Sequence, residues 1–327
     1  MPAPAPRFLV TGATGFVGRP LVAMLLRRGH AVRAATRGPG HGLPAGVEAF
    51  EVGDLDGPVD WARAVDGVDA VVHLAARVHV MAPERGDPLS AYRRTNVDAT
   101  LRLAEAAARA GVGRFVFASS IKALGEATRV DERWDDATPP RPVDPYGVSK
   151  LEAERALLAL GAASPMSVTA LRPPLMHGPG VKGNLLRLLH WIRSGWPLPF
   201  GAVENRRSLL AVDNFCDALV VAALHPGAAG RAFVLADAPD LSTPDLVRAF
   251  AAELGQPARL VPVPVAWLRA GARLLGRGAA LDRLAGSLRI DGSGFSTATG
   301  WSAPVPVADA LAATARAFAQ GAAGGAR

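Results

Sequence analysis

The chain has 327 residues, half of them hydrophobic, with 36 Lys+Arg against 29 Asp+Glu, a formal charge of +7 and a single cysteine. That length and apolar content suit one large or two unequal domains around a substantial core, and Cys216 standing alone excludes a disulfide within the chain. The seven histidines show no metal-ligand spacing, and the arginines are scattered among Ala and Leu in no block, which argues against a metal centre and nucleic acid and favours phosphorylated small molecules.

The opening MPAPAPR is short, proline-broken and followed at once by an apolar run, so it reads as no secretory leader, and a reducing cytoplasm is the expected setting. The runs FLV (8–10), AVRAAT (31–36), VEAFEV (47–52), DAVVHLA (69–75), RFVFAS (114–119) and SVTALR (167–172) read as strands. Helical periodicity separates them, as in GRPLVAMLLRR and ATLRLAEAAARAG. This rhythm predicts β-α-β units and hence an α/β fold: a Rossmann-type doubly wound parallel sheet whose ligands bind beyond the carboxyl ends of the strands. Asp213 is read as the N-cap of the helix in DNFCDALVVAAL. Further on, PVPVAWLRAGARLLGRGAALDRLAGSL is broken by Arg, Pro and Gly at intervals that no bilayer core tolerates, so amphipathic helices of a second part are expected and no membrane span. Its basic face leaves a membrane-surface helix as the alternative.

The residues just after the strands carry the unusual patterns. TGATGFVG follows the first strand and leads into a helix: Gly12 allows a tight turn, Gly15 lets a pyrophosphate approach the backbone, and Gly18 lets helix and strand pack closely. After the second strand, where an acidic residue would grip the adenosine ribose of NAD, stand Thr36 and Arg37. A guanidinium there suits a 2′-phosphate, so NADP(H) is favoured and NAD(H) is the alternative. Asp54, after the third strand, offers a carboxylate to the adenine amino group, or else caps its own loop.

Only three lysines occur, Lys122, Lys150 and Lys182, and only two tyrosines. One of each meets in VDPYGVSKLEAERALLAL. Removing a hydroxyl proton needs a base that works near neutrality, and a free phenol is a poor one. Residues four apart share a helix face, so the Lys150 ammonium can favour the Tyr146 phenolate.

With TGATGFVG, GDL, HLAA (73–76), TNVDAT (95–100), FASS (117–120), PYGVSK (145–150), LRPPLMHGPG (171–180) and RRSLLAVDN (206–214) in this order, the chain resembles an extended short-chain dehydrogenase/reductase of the nucleotide-sugar epimerase, dehydratase and reductase branch. The resemblance implies a dinucleotide-binding domain at 1–175 with a return at about 208–236. It also implies a nucleotide-sugar domain at 176–207 and 237–318; 319–327 is expected to be a flexible tail. It implies catalysis by Ser120, Tyr146 and Lys150, with Ser120 and Tyr146 also touching substrate and Ser119 structural. Cofactor contacts are implied for Gly12, Gly15, Phe16, Val17, Gly18, Arg37, Asp54, Leu55, Leu74, Ala75, Ala76, Asn96, Lys150 and Pro173. Asn96 is expected to begin a helix and to hold backbone near the nicotinamide. A UDP-sugar is the implied substrate, with Asn184 and Arg207 at its diphosphate and Pro199 to Gly201 against the uracil.

Departures from the family pattern narrow the reaction. Sugar 4,6-dehydratases carry an Asp-Glu pair where this chain has Ile121-Lys122, so β-elimination is excluded. Ala123-Leu124-Gly125 replaces a usual Val-Tyr-Gly, and His177 replaces a second usual tyrosine, both expected in the pocket wall. Lys122 either meets substrate or is a solvated loop residue, and His79 is a lesser candidate for substrate contact. The readings left are reduction of a UDP-4-keto-hexosamine, which is favoured, a UDP-sugar 4-epimerase, and a non-catalytic NAD(P) sensor, against which Tyr146 and Lys150 argue. Helices at 99–111 and 147–160 resemble the pair that forms a homodimer interface in the family.

Overall fold

The protein is described here by a computed structural model that covers residues 5–40, 42–78, 87–129, 131–274, 276 and 278–324. Strands β1 (Arg7–Thr11), β2 (Ala31–Thr36), β3 (Val47–Glu51), β4 (Ala70–His73), β5 (Arg114–Ala118) and β6 (Ser167–Arg172) fall where the apolar runs predict them. Three short strands escape the sequence pattern: β7 (Leu175–His177), β8 (Leu209–Ala211) and β9 (Arg231–Val234). β7 and β8, at three residues, are too brief for a pattern to register, and all three are defined by a partner remote in sequence. β9 completes a parallel sheet of order β3-β2-β1-β4-β5-β6-β9, and β7 pairs with β8 apart from it. The chain switches direction across the sheet between β1 and β4, which opens a cleft at their carboxyl ends.

Helices cover both faces because the strands are apolar on both. On one side, Leu21, Val22 and Leu25 of Gly18–Arg27 and Phe215, Leu219 and Val220 of Val212–Leu224 pack on Phe8 and Val10. On the other, Leu103 and Ala107 of Ala99–Arg109 and Ala153 and Leu157 of Pro145–Ala162 pack on Leu9, Val71 and Phe115. A separate core forms around Leu185, Leu189, Phe200, Val247, Phe250 and Leu311. Among its helices are Val265–Leu274 and Gly278–Ala285, the amphipathic segments expected there.

Three local expectations are corrected. Asp213 lies in the first turn of Val212–Leu224, where its charge suits the helix dipole, while Ala211 is the N-cap. Asn96 sits inside a π-turn, Arg94–Asp98, that joins two helices into one run and so begins no helix. The last helix, Val307–Gly324, continues through 319–324 of the expected tail, as an alanine-rich stretch allows, and residues 325–327 lie outside those described.

The helix Pro145–Ala162 is pinned to β6 by a buried ion pair. Arg172 donates from Nε and Nη2 to the two carboxylate oxygens of Glu154, with Nε 3.0 Å from Oε2, and both residues are fully enclosed. Ser119 Oγ donates to the same Oε2 at 2.9 Å, the structural role expected for that serine. Removing one partner strands a buried charge, so Glu154→Ala should lose about 3–5 kcal/mol of stability in urea unfolding. A Glu154→Leu, Arg172→Met double variant should recover part of it, the remainder reflecting Lys150 and Ser119, which also lose Glu154.

Candidate active site

Two structures meet at the cleft, one built on β1 and β4 and the other on β5 and the helix Pro145–Ala162. In the first, Thr11 Oγ1 accepts the amides of Leu74 at 3.2 Å and Ala75 at 3.1 Å. With both lone pairs engaged, its hydroxyl proton must go to His73 Nδ1 at 2.7 Å, which leaves the imidazole proton on Nε2 to donate to Thr100 Oγ1 at 2.9 Å. Burial, aided by the Lys150 ammonium, drives the His73 pKa to about 3, so the ring is a neutral spacer. This Thr11–His73–Thr100 chain fixes the Leu74–Ala75 backbone, a role the sequence reading did not assign. Its signal was there: polar side chains ending two otherwise apolar strands.

The glycines fit a dinucleotide at this point. Gly12 has φ +67°, and a Cβ on it would sit 2.9 Å from Ala75 N, so Leu74 and Ala75 close directly over the turn. A Cβ on Gly18 would lie 2.1 Å from Gly12 O, which no side chain survives. Gly15 is different: a Cβ there would meet Gly12 O at 3.1 Å and no other atom within 4 Å, so its outer side is open. The helix that follows begins at Val17 with no side-chain cap and no acidic residue in its first turn, an uncompensated positive end suited to a diphosphate. Phe16 and Val17 are half-buried at that end.

Around this loop, Arg37 is exposed at the end of β2, and Asp54 is exposed after β3 with its carbonyl accepting Gly57 N. Leu55 packs on the core and its carbonyl accepts from Arg102 Nη2. Asn96 holds backbone, as expected: Oδ1 accepts Arg77 N at 2.8 Å and Nδ2 donates to Arg77 O at 3.1 Å and Ser149 Oγ at 3.0 Å. Ser149 in turn donates to Tyr146 O, so Asn96 steadies the tyrosine's own turn. Pro173 is buried and its carbonyl accepts Ile121 N at 3.0 Å.

The second structure presents Ser120, Tyr146 and Lys150. Asp144 caps the helix by accepting Gly147 N at 2.6 Å, with Pro145 at the first helical position. Gly147 is needed because a Cβ there would be 2.4 Å from Lys122 O. The Tyr146 phenol lies near enough to Ser120 for that hydroxyl to act on it, Ser120 Oγ itself accepts Lys122 N at 3.2 Å, and the Tyr146 ring meets Tyr92 edge-on at 6.1 Å. Lys150 is 2 % exposed; Nζ donates to Ala118 O at 2.7 Å and lies 4.4 Å from the Phe117 ring centre.

The expected activation of the phenol by the lysine is not what the geometry gives. Nζ is 6.0 Å from the Tyr146 ring centre and turned toward Ala118, so burial dominates both groups. It pushes the phenol up to about 12, against the lowering effect of Ser120. It also brings Lys150 down to about 7, against the attraction of the Glu154 carboxylate. Tyr146 therefore holds its proton at neutrality, and Lys150 titrates near it.

Lys122 is neither a solvated loop residue nor free to meet substrate: its ammonium is clamped between Asp144 and Glu126, the latter at 2.6 Å. The Glu126 charge also reaches, through space, Arg207, whose guanidinium is half-buried, donates from Nη1 to Gly286 O at 2.9 Å and keeps a buried Nε without a hydrogen-bond partner among the described residues. Burial lowers the Arg207 pKa. Asn184 and Pro199 are half-buried, while Phe200 is enclosed in the core with Leu198 and Val203, so its side chain supports its loop. His177 is not in a pocket wall. It is fully buried between β7 and the last helix, its Nδ1–H bonded to Thr314 Oγ1 at 3.2 Å because that hydroxyl donates to Ala310 O, and its pKa falls to about 4. Ala123 and Leu124 are buried as well. His79 lies outside the described residues.

Comparison with known proteins gives this geometry a context. The family model described as the NAD dependent epimerase/dehydratase family matches residues 8–236. The chain is 39% identical to a UDP-glucose 4-epimerase of Vibrio cholerae over 95% of each chain. It is 34% identical to a 2-alkyl-3-oxoalkanoate reductase of Stenotrophomonas maltophilia, covering 77% of this chain and 76% of that one. A solved structure of MoeE5 in complex with UDP-glucose and NAD superposes with a TM-score of 0.76 at 29% identity, over 97% of this chain and 99% of that one.

The buried lysine has a measurable consequence. Its pKa of about 7 is below the ordinary value of 10.5, so between those pH values the unfolded chain binds more protons than the folded one. Stability from this group is therefore complete above pH 10.5 and is lost as pH falls toward 7. Relative to Lys150→Met, the parent should gain up to about 1.4 kcal/mol per pH unit across that window in urea titrations. A difference independent of pH would show that the ammonium is hydrated.

Proposed function

The chain belongs to the NAD dependent epimerase/dehydratase family, and on that footing we propose that it is a 4-epimerase of a UDP-linked hexose or N-acetylhexosamine. The observation that carries the proposal is the placing of Ser120, just past β5, near enough to act on the Tyr146 phenol, with Lys150 buried one turn further along the tyrosine's helix and bonded to Ala118 O. A bound NAD supplies the acceptor and donor of hydride for the sugar carbon. The residues that would hold it are Gly12, Gly15 and the helix end at Phe16–Gly18 for the diphosphate, Asp54 and Leu55 for the adenine, Leu74–Ala76 and Pro173 along the cleft, and Asn96 through the backbone it fixes. Lys150 would meet the nicotinamide ribose.

Tyr146 then carries the proton of the C4 oxygen. Its phenol, protonated at neutrality, can donate to a C4 ketone, and can take the proton back from a C4 hydroxyl when the Lys150 charge is drawn toward it. Ser120 holds the same oxygen by a second hydrogen bond. For the nucleotide half, Arg207 offers a planar fork to the diphosphate, with Asn184 beside it and Pro199 and Phe200 in the loop against the uracil. Water elimination does not belong to this site, because Ile121 carries no proton and Lys122 is committed to two carboxylates. The outward sides of Ala99–Arg109 and Pro145–Ala162 are the proposed homodimer contact.

Arg37 favours a second reading. It is exposed at the end of β2 where a ribose-binding carboxylate would stand, and it suits the 2′-phosphate of NADP(H), the cofactor of a net reduction of a UDP-4-keto-hexosamine. One experiment separates the two: mass spectrometry of the nucleotide released on denaturation, then turnover of UDP-glucose and UDP-N-acetylglucosamine with absorbance of the reduced cofactor followed. Interconversion of 4-epimers without net cofactor consumption is expected, and Tyr146→Phe should lower it about a hundredfold or more while the bound nucleotide is retained. Stoichiometric NADPH loss with a UDP-4-keto-hexosamine, shifted toward NADH by Arg37→Asp, would install the reductase instead.

A further inference from the structure

Five large apolar side chains stand exposed in two segments of the second part: Trp191, Trp196 (74% exposed), Val261, Trp267 (73%) and Leu274 (89%). The segments are neighbours, since Leu198 N donates to Arg259 O at 2.7 Å and Val261 N to Leu198 O at 2.9 Å. Between Pro257 and Leu274 every exposed position is Pro, Ala, Val, Trp, Leu or Arg, with no carboxylate and no neutral polar side chain in the stretch. In the helix Val265–Leu274 the core is met by Val265, Leu268 and Ala272. At 100° per residue, Trp267, Ala270 and Leu274 share the opposite side, and Arg273 and Arg269 lie along its border, Arg269 in an exposed ion pair with Asp282 at 3.7 Å.

Charge follows the same map. The stretches 179–203 and 254–281 hold seven Lys or Arg and no Asp or Glu, which equals the whole formal surplus of +7, so the rest of the chain is balanced. Most arginines lie elsewhere and are matched by carboxylates; the unmatched positive charge falls in these two stretches, which pair through Leu198 and Val261.

We propose that this face docks the protein on the surface of an anionic lipid bilayer. Tryptophan at the boundary between apolar and polar layers, a stripe of aliphatic side chains and bordering arginines are what an interfacial helix requires. A protein partner fits less well, because between Pro257 and Leu274 no exposed side chain is a carboxylate, hydroxyl or amide. No helix among the described residues is long and apolar enough to cross a membrane, so the attachment is peripheral and salt-sensitive.

The test is flotation of the purified full chain with vesicles of phosphatidylethanolamine and phosphatidylglycerol, against vesicles of phosphatidylcholine alone. Binding to the anionic vesicles, released by high salt and absent from the neutral ones, is expected. Trp267→Ser with Leu274→Ser, and separately Arg269→Glu with Arg273→Glu, should each weaken it on the order of tenfold or more while turnover in solution is unchanged. No flotation at low salt, or equal flotation of both variants, would overturn the proposal. So would a dimer, seen by light scattering, that Trp267→Ser and Leu274→Ser dissociate, since that would assign the face to a second copy.

Discussion

An ammonium held inside the protein, Lys150 at 2 % exposure, is the constraint around which the centre of this molecule is arranged. A buried cation is tolerated only with compensation nearby, and two elements supply it. The end of β5 offers the Ala118 carbonyl and the Phe117 ring, and the helix itself offers Glu154, one turn further on. Glu154 must then be satisfied as well, which is the work of Arg172 on β6 and of Ser119. The helix Pro145–Ala162 is in this way locked against two neighbouring strands through charge as well as through apolar packing, and Tyr146 at its first turn inherits that fixed position.

The same economy of shared partners links the two halves of the site. Asp144 caps the tyrosine's helix and receives Lys122, Lys122 also binds Glu126, and the Glu126 charge reaches Arg207 through space. On the other side of the cleft, Thr11 and neutral His73 hold the Leu74–Ala75 backbone over Gly12. In the Thr11–His73–Thr100 chain each proton position is fixed by the hydrogen bond before it, which holds that side of the cleft rigid.

Much of the architecture was legible in the residue pattern. Six parallel strands follow from apolar runs spaced by helical periodicity, because burial on both faces writes a mostly apolar signature into the inner strands, while the exposed edge strand β3 carries Glu48 and Glu51. The glycine spacing in TGATGFVG predicts a turn whose atoms leave no room for side chains at Gly12 and Gly18, since that exclusion is local to one strand-to-helix connection. β7, β8 and β9 were not legible: the first two are too short for a pattern, and all three are defined by partners far away. His177 was misread for the same reason: its partner, Thr314, is 137 positions distant.

By itself the sequence determined which chemical groups are present and at what helical spacing, and so identified Ser120, Tyr146 and Lys150 as a set. Their electrostatic state was decided by the tertiary structure. Spacing says that Tyr146 and Lys150 share a helix face, but only the packing of β5 against that face turns the ammonium to Ala118 and away from the phenol. Desolvation depends on every atom within several ångströms, most of them remote in sequence, and it is desolvation that sets Lys150 near 7 and Tyr146 near 12. Lys122 shows the same division: composition made it one of three lysines, and the fold alone placed Asp144 and Glu126 on either side of it.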